Sequence, residues 1–272
     1  MAVALNAIAR SAADIYQMFR VKRKPPFTPG YKPPRITAMK IDHIKLYHYP
    51  VTRSSRVKWL LHEIYADNFE VEVVELYDGV QYDSDFLSKN PNHNVPLLEF
   101  TLSNGKTQCM LESGAMISLL ADINPQKNLA PPATEFSAER ADYLQMLHFC
   151  ASSWDMMLWQ IRVNKHVLSD AEKDEKTVQR YMNKISQEVE PQLLARLTQH
   201  DHICGPDFSA VDCLAGHNIL WSKSYGLCQD TYFDDYLSRI SKRPAFLNAF
   251  ADAHRFDPIP PAAAGLSSKF TG

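Results

Sequence analysis

Hydrophobic residues along this chain follow two regimes. From about Asp42 to Asn124 they come in short runs that read as strands, with helical stripes between them. Ile44-Lys45-Leu46-Tyr47-His48-Tyr49 predicts a strand. Val57, Leu60, Leu61 and Ile64 mark the apolar face of a helix beginning near Ser54 or Ser55, which would cap it. Val71 to Leu76 predicts a second strand, and residues 82–90 a short helix or loop. Leu97–Leu102 and Thr107–Leu111 flank Ser103-Asn104-Gly105, a hairpin signal because Asn-Gly accepts the positive φ of a tight turn. Met116, Leu119, Leu120 and Ile123 then give another helix. From Ser137 to Asp252 the period is helical throughout. Ser169-Asp170-Ala171-Glu172 and Ser209-Ala210-Val211-Asp212 both have capping-box spacing, the second with Phe208 and Cys213 placed as a hydrophobic staple.

The order β-α-β-(α)-β-β-α is that of a thioredoxin-like unit, and a strand–helix–strand of this length implies parallel strands. The fold class expected is α/β plus all-α. It comprises a basic arm and proline-rich linker at 1–41, a thioredoxin-like domain at 42–124, an all-helical domain at 136–255 and a tail at 256–272. In the arm, Leu5, Ile8, Ala12, Ile15 and Phe19 form a helical stripe among Arg10, Arg20, Lys22, Arg23 and Lys24, before the prolines from Pro25 to Pro34. The stripe suits packing on the protein's own surface or a partner subunit. Organelle targeting and peripheral membrane contact by residues 1–40 stay open.

Composition narrows the function class. Apolar residues make up 45% and charged residues 22%, enough for a sizeable core. A net charge of −2 gives no electrostatic case for nucleic acid. No apolar run reaches the roughly 18 residues of a membrane span. Five scattered cysteines without a CxxC pair fit a reducing compartment, and ten histidines without ligand spacing give no reason to expect a metal.

Two short stretches carry chemistry. Pro96 lies between Val95 and the strand-like run Leu97-Leu98-Glu99-Phe100, where the missing N–H suits a central strand badly. It fits a cis Val95–Pro96 bond with the preceding backbone turned outward to pair with a ligand. Glu112-Ser113 stands where a strand gives way to a helix, so the serine offers a hydroxyl and a free N–H to an anion. A peptide-backbone site beside a carboxylate site describes a pocket for a small γ-linked peptide.

With these motifs, the chain resembles the cytosolic glutathione transferases, closest to their bacterial, fungal and theta-like branches, over about residues 43–253. Tyr49-Pro50-Val51-Thr52-Arg53-Ser54-Ser55-Arg56-Val57, Asn90-Pro91 and Arg243-Pro244-Ala245-Phe246 fit the same pattern. The resemblance implies glutathione as co-substrate, a small-molecule electrophile, a cytoplasmic homodimer and a role in detoxification. Ser113 matches the residue holding the γ-glutamyl carboxylate, Glu112 its acidic neighbour, and Val95, beside Pro96, the backbone that pairs with the cysteinyl part. Asn94 stands where Lys or Gln is frequent and His93 where Gly is frequent, so contact with the glycyl end would be neutral.

A glutathione transferase lowers the pKa of the glutathione thiol, because the thiolate is the nucleophile. Lowering it by about two units is worth roughly 2.7 kcal/mol. By register Thr52 falls where theta-like members carry the activating hydroxyl, with Tyr49, Ser54 and Ser55 as alternatives. Where other branches use a strand tyrosine, register places His48. Arg56 reads as a residue serving either glutathione or its own helix. The stripe Met146, Phe149, Trp154, Met156, Met157, Trp159 and Ile161 reads mainly as core, with Trp154 and Met157 as candidates for the electrophile pocket. The expected activity is conjugation or substitution by glutathione, or the related ether cleavage and peroxide reduction. A binding or regulatory protein that kept this fold without turnover is the alternative.

Overall fold

The computed structural model describes residues 39–258; the amphipathic stripe, the proline-rich linker and residues 259–272 lie outside them. Strands β1 (Ile41–His48), β2 (Glu70–Val73), β3 (Leu97–Leu102) and β4 (Thr107–Met110) form one sheet in the order β2-β1-β3-β4. β1 and β2 are parallel, with Leu46 opposite Val71, and β3 runs antiparallel to both β1 and β4. β2 ends sooner than its apolar run suggested. The chain instead turns through Leu76–Asp78 to the left-handed Gly79, where φ is 83°.

Side-chain alternation decides what each face of the sheet meets. Leu46 and Leu98 face the main core, while their neighbours Tyr47 and Leu97 join a smaller cluster with Tyr49, Val74, Phe86 and Val95. Helices α1 (Ser54–Tyr65), α2 (Ser84–Lys89) and α3 (Ser113–Asp122) complete this layer. The chain continues as α4 (Ala138–His148), α5 (Asp155–Arg162), α6 (Glu175–Lys184), α7 (Glu190–Leu197), α8 (Ala210–Lys223), α9 (Thr231–Ile240) and α10 (Pro244–Ala249). Wider π turns at Phe149–Trp154 and Val163–Val167 extend α4 and α5. α1 packs on α3, α8 and α10, so Leu60, Met116, Trp154, Leu214 and Ile219 share one core.

The caps divide. Ser209 and Asp212 form their box, and Asp212 Oδ2 accepts from Ser209 N at 2.8 Å. Ser169 and Glu172 also bond, Ser169 N donating to Glu172 Oε2 at 3.2 Å, yet they close only a turn. The helix starts at Glu175 under Asp174, whose side chain accepts from Lys176 N at 3.0 Å. A local capping pattern needs an apolar face behind it to propagate, and most of residues 168–176 are exposed. Ser54 and Ser55 are not the cap of α1 either, since Arg53 holds that position without a side-chain bond.

Candidate functional site

Register brings three chain ends to one edge of the sheet. Tyr47 pairs with Leu97 and Leu98 with Met110. The end of β1, the start of β3 and the end of β4 are therefore neighbours, and with them the segments 48–55, 93–96 and 111–114.

The Val95–Pro96 bond is cis. The N–H and C=O of Val95 make no hydrogen bond to any described residue, which leaves an amide pair at the sheet edge. Buried Asn90 holds the loop before it, its Nδ2 donating to Asn94 O at 2.7 Å and Asn94 Oδ1 at 3.1 Å, while its Oδ1 accepts from Asn92 N at 2.9 Å. Asn94 thus has its side-chain oxygen turned onto Asn90. His93 is exposed at φ 44°, its ring 5.0 Å from that of Tyr82.

Glu112 is exposed and takes φ 70°, ψ 105°, a backbone region that costs a non-glycine residue on the order of 1–3 kcal/mol. It turns the chain sharply from β4 into α3. Met116 N donates to Glu112 O at 2.9 Å, so the N–H groups of Ser113, Gly114 and Ala115 have no partner within the helix. The Ser113 hydroxyl likewise bonds to no described residue. Gly114 lets α3 sit close against the π turn, where a Cβ at that position would lie 2.7 Å from Ala151 Cβ.

Of the four candidate hydroxyl residues, Thr52 is the one that is partly exposed. Tyr49 is buried, its ring 5.3 Å from Tyr77, and burial pushes its hydroxyl up to about 12. Ser55 is fully buried with no partner for its hydroxyl. Ser54, also fully buried, is the hub of the turn. Its Oγ accepts from Tyr49 N at 3.1 Å and lies 3.0 Å from Tyr49 O, 2.8 Å from Thr52 Oγ1 and 2.7 Å from His48 Nδ1. Thr52 Oγ1 is 2.7 Å from Tyr49 O.

Two charged groups behind this turn had no motif to announce them. His48, fully buried, has Nε2 3.2 Å from Asp252 Oδ2, and Lys58 Nζ donates to the same oxygen at 2.7 Å. Burial alone would raise the Asp252 carboxyl, but the bonds from His48 and Lys58 outweigh it and hold the group well below the usual carboxylate range. Burial pushes His48 below 6.5, with Lys58 and Arg255 adding to the effect and Asp252 opposing it.

Arg56 serves neither of its expected roles. It is fully buried and donates from Nη2 to Asp155 Oδ2 at 2.5 Å. Arg53 donates from Nε to Asp155 Oδ1 at 2.7 Å, and its guanidinium lies 4.8 Å from the Trp159 ring and 5.4 Å from that of Trp221. Trp154 is fully buried in the core and Met157 nearly so, whereas Met156 is exposed. The α5 side chain that meets this turn is therefore Trp159, under the Arg53 guanidinium. Helical periodicity identified the stripe, and only the pairing of Arg53 with Asp155 orients it.

Residues 42–122 match the family model described as the glutathione S-transferase N-terminal domain. A glutathione transferase family member from Pseudomonas fluorescens pf-5, solved with two glutathione bound, is 24% identical with a TM-score of 0.66, over 76% of this chain and 92% of that one. A glutathione transferase from Methylococcus capsulatus str. Bath is 27% identical with a TM-score of 0.61, over 78% and 100%. A sphingomonad glutathione S-transferase complexed with glutathione is 27% identical with a TM-score of 0.58, over 77% and 98%. No curated protein matches the chain.

Proposed function

We propose that the chain is a glutathione transferase family member that binds glutathione at this sheet edge and activates its thiol for attack on an apolar electrophile. The observation that carries this is the convergence of three groups: the unused amide pair of Val95, the N-terminus of α3 with the Ser113 hydroxyl, and the partly exposed hydroxyl of Thr52. The γ-glutamyl carboxylate would meet Ser113 and the helix N–H groups, with Glu112 beside its ammonium. The cysteinyl backbone would pair with Val95, next to Pro96. His93 and Asn94 would border the glycyl end. Residues 42–124 would hold glutathione and residues 136–255 would face the electrophile, with the buried Trp154 and Met157 in the core behind that face. A homodimer, a cytoplasmic setting and a part in detoxification go with the same reading; light scattering on the purified protein tests the dimer.

Retention on glutathione resin, lost in Ser113→Ala, is the expected outcome, because one hydrogen bond to a charged group is worth about 1.5–3 kcal/mol. Turnover of glutathione with a chloronitrobenzene should fall by about tenfold or more in Thr52→Ala and survive in Thr52→Ser. Undiminished turnover in Thr52→Ala would remove that residue from the mechanism.

The second reading is a glutathione-binding protein without turnover. It is favoured by the inward position of the Thr52 hydroxyl, within bonding distance of both Tyr49 O and Ser54 Oγ. Resin retention without turnover would select it.

A further inference from the structure

Asp252, His48, Ser54 and Thr52 form one unbroken chain of hydrogen-bonding contacts from the segment after α10 to the partly exposed edge of the site. The steps are 3.2 Å, 2.7 Å and 2.8 Å. No motif joins these residues, and Asp252 lies 204 positions from His48 in sequence. We propose that His48, oriented by Asp252, takes up the proton of the glutathione thiol through the hydroxyls of Ser54 and Thr52. His48 and Asp252 are then positioning residues that act through Thr52.

The direction of each bond follows from donors and acceptors. Asp252 is ionised and already accepts from Lys58, so it can only accept from His48, and the His48 proton sits on Nε2. Nδ1 is then bare. The hydroxyl within its reach is Ser54, which donates to it. One lone pair of Ser54 Oγ takes Tyr49 N–H, and the other is available to Thr52. In this polarity the Thr52 hydroxyl points inward and presents a lone pair outward, which suits a thiol S–H as donor.

Moving one proton along the chain reverses every bond. The S–H bond breaks and an O–H forms on Thr52; Thr52 passes its former proton to Ser54, and Ser54 passes its own to His48 Nδ1. The products are a thiolate and an imidazolium. Thr52 now donates outward to the sulfur, Ser54 donates to Thr52, and His48 donates to Ser54 from Nδ1 and to Asp252 from Nε2. Tyr49 O, 2.7 Å from Thr52 Oγ1 and 3.0 Å from Ser54 Oγ, takes neither hydroxyl proton in either polarity and keeps Thr52 N at 3.4 Å. The same turn would therefore suit both the thiol and the thiolate, and the inward Thr52 hydroxyl is the resting state of the relay.

The surroundings of His48 leave it neutral and able to accept, but they disfavour the imidazolium unless Asp252 and the thiolate charge offset them. Burial keeps it neutral near pH 7, with the positive charges of Lys58 on α1 and Arg255 after α10 acting the same way. Asp252 opposes them and stabilises the imidazolium once it forms. Arg255 is itself paired with Glu75, Nη2 to Oε1 at 2.5 Å.

The test, which rests on the reading of Thr52 above, uses the unmodified chain with glutathione and with S-methylglutathione, which has no thiol proton to give. Nitrogen NMR of the imidazole reports the His48 charge, and ultraviolet absorbance reports the thiolate. The expected result at neutral pH is imidazolium with glutathione and neutral imidazole with S-methylglutathione. Thiolate formation with His48 neutral in both complexes overturns the relay. Among variants, His48→Gln and Asp252→Asn should each raise the pH at which bound glutathione ionises by about one unit, a tenfold loss of thiolate, without loss of resin retention. Parent-like titration in both overturns the relay as well. If Thr52→Ala leaves the titration unchanged, the reading of Thr52 fails and takes the relay with it. If Thr52→Ala shifts the titration and the other two variants do not, the relay alone fails.

Discussion

Asp155 lies between the guanidinium groups of Arg53 and Arg56 and is almost fully buried. Burial pushes its carboxyl up, but the two arginines outweigh that and hold it at about 2, against 3.8 when unfolded. His217 is its counterpart: burial, reinforced by Arg56, lowers it from 6.5 to about 4, while Nε2 bonds to Val51 O at 2.9 Å. Each group makes stability fall with acid. For His217 the unfolded chain binds the proton first, so about 3 kcal/mol is lost as pH falls from about 6.5 to 4. For Asp155 the stability is present above the unfolded value, and about 2 kcal/mol is lost as pH falls from about 4 to 2. Urea unfolding at stepped pH should show the first loss shrink in His217→Gln and the second in Asp155→Asn. An unchanged slope between pH 6.5 and 4 in His217→Gln would contradict the assignment. At this same scale, Ser54 shows what local sequence could not reveal. A serine at the start of a helix suggests a cap, yet a fully buried one with four polar neighbours is the centre of a turn.

At the scale of elements, the site depends on how α3 is docked. Ser113 is aimed by the positive φ of Glu112 and by the contact of Gly114 with the π turn at Ala151. Backbone-anchored Cβ atoms cannot yield as the tip of a long side chain can, so Gly114→Ala forces α3 away from Phe149–Trp154. Overpacking of this kind costs about 1–3 kcal/mol. Calorimetry should show that loss together with weaker glutathione binding, whereas a lower melting temperature with unchanged binding would separate the docking from the site. The strands, the hairpin and α8 were legible because each signal is local: short apolar runs for β1 and β3, Asn-Gly for the turn, and a capping box backed by a buried helix face at Ser209. The Ser169 box misled because its hydrogen bonds form in a turn as readily as in a helix.

At the scale of the whole molecule, residues 252–258 tie the end of the described chain back to β1 and α1, to the loop after β2 and to α5. Asp252 reaches His48 and Lys58, Arg255 reaches Glu75, and Arg162 Nη1 donates to Pro258 O at 3.1 Å. A chain shortened to end at residue 258 keeps all of these contacts and serves as the reference. One shortened to end at 251 leaves buried Lys58 without its carboxylate and should lose about 3–5 kcal/mol. Thermal unfolding of the two decides, and equal melting temperatures would show that the strap carries little. Local sequence was enough for the two-layer architecture, the cis Val95–Pro96 bond and the Glu112-Ser113 turn into α3, because periodicity, turn chemistry and short motifs involve residues close together in the chain. Only tertiary structure decided that Asp252 stands behind His48, that Asp155 joins Arg53 to Arg56, and that Thr52 is the hydroxyl residue left partly exposed. Those pairings join side chains about 100 to 200 positions apart and are selected by burial: a charge removed from water needs a partner, and packing alone settles which one it meets.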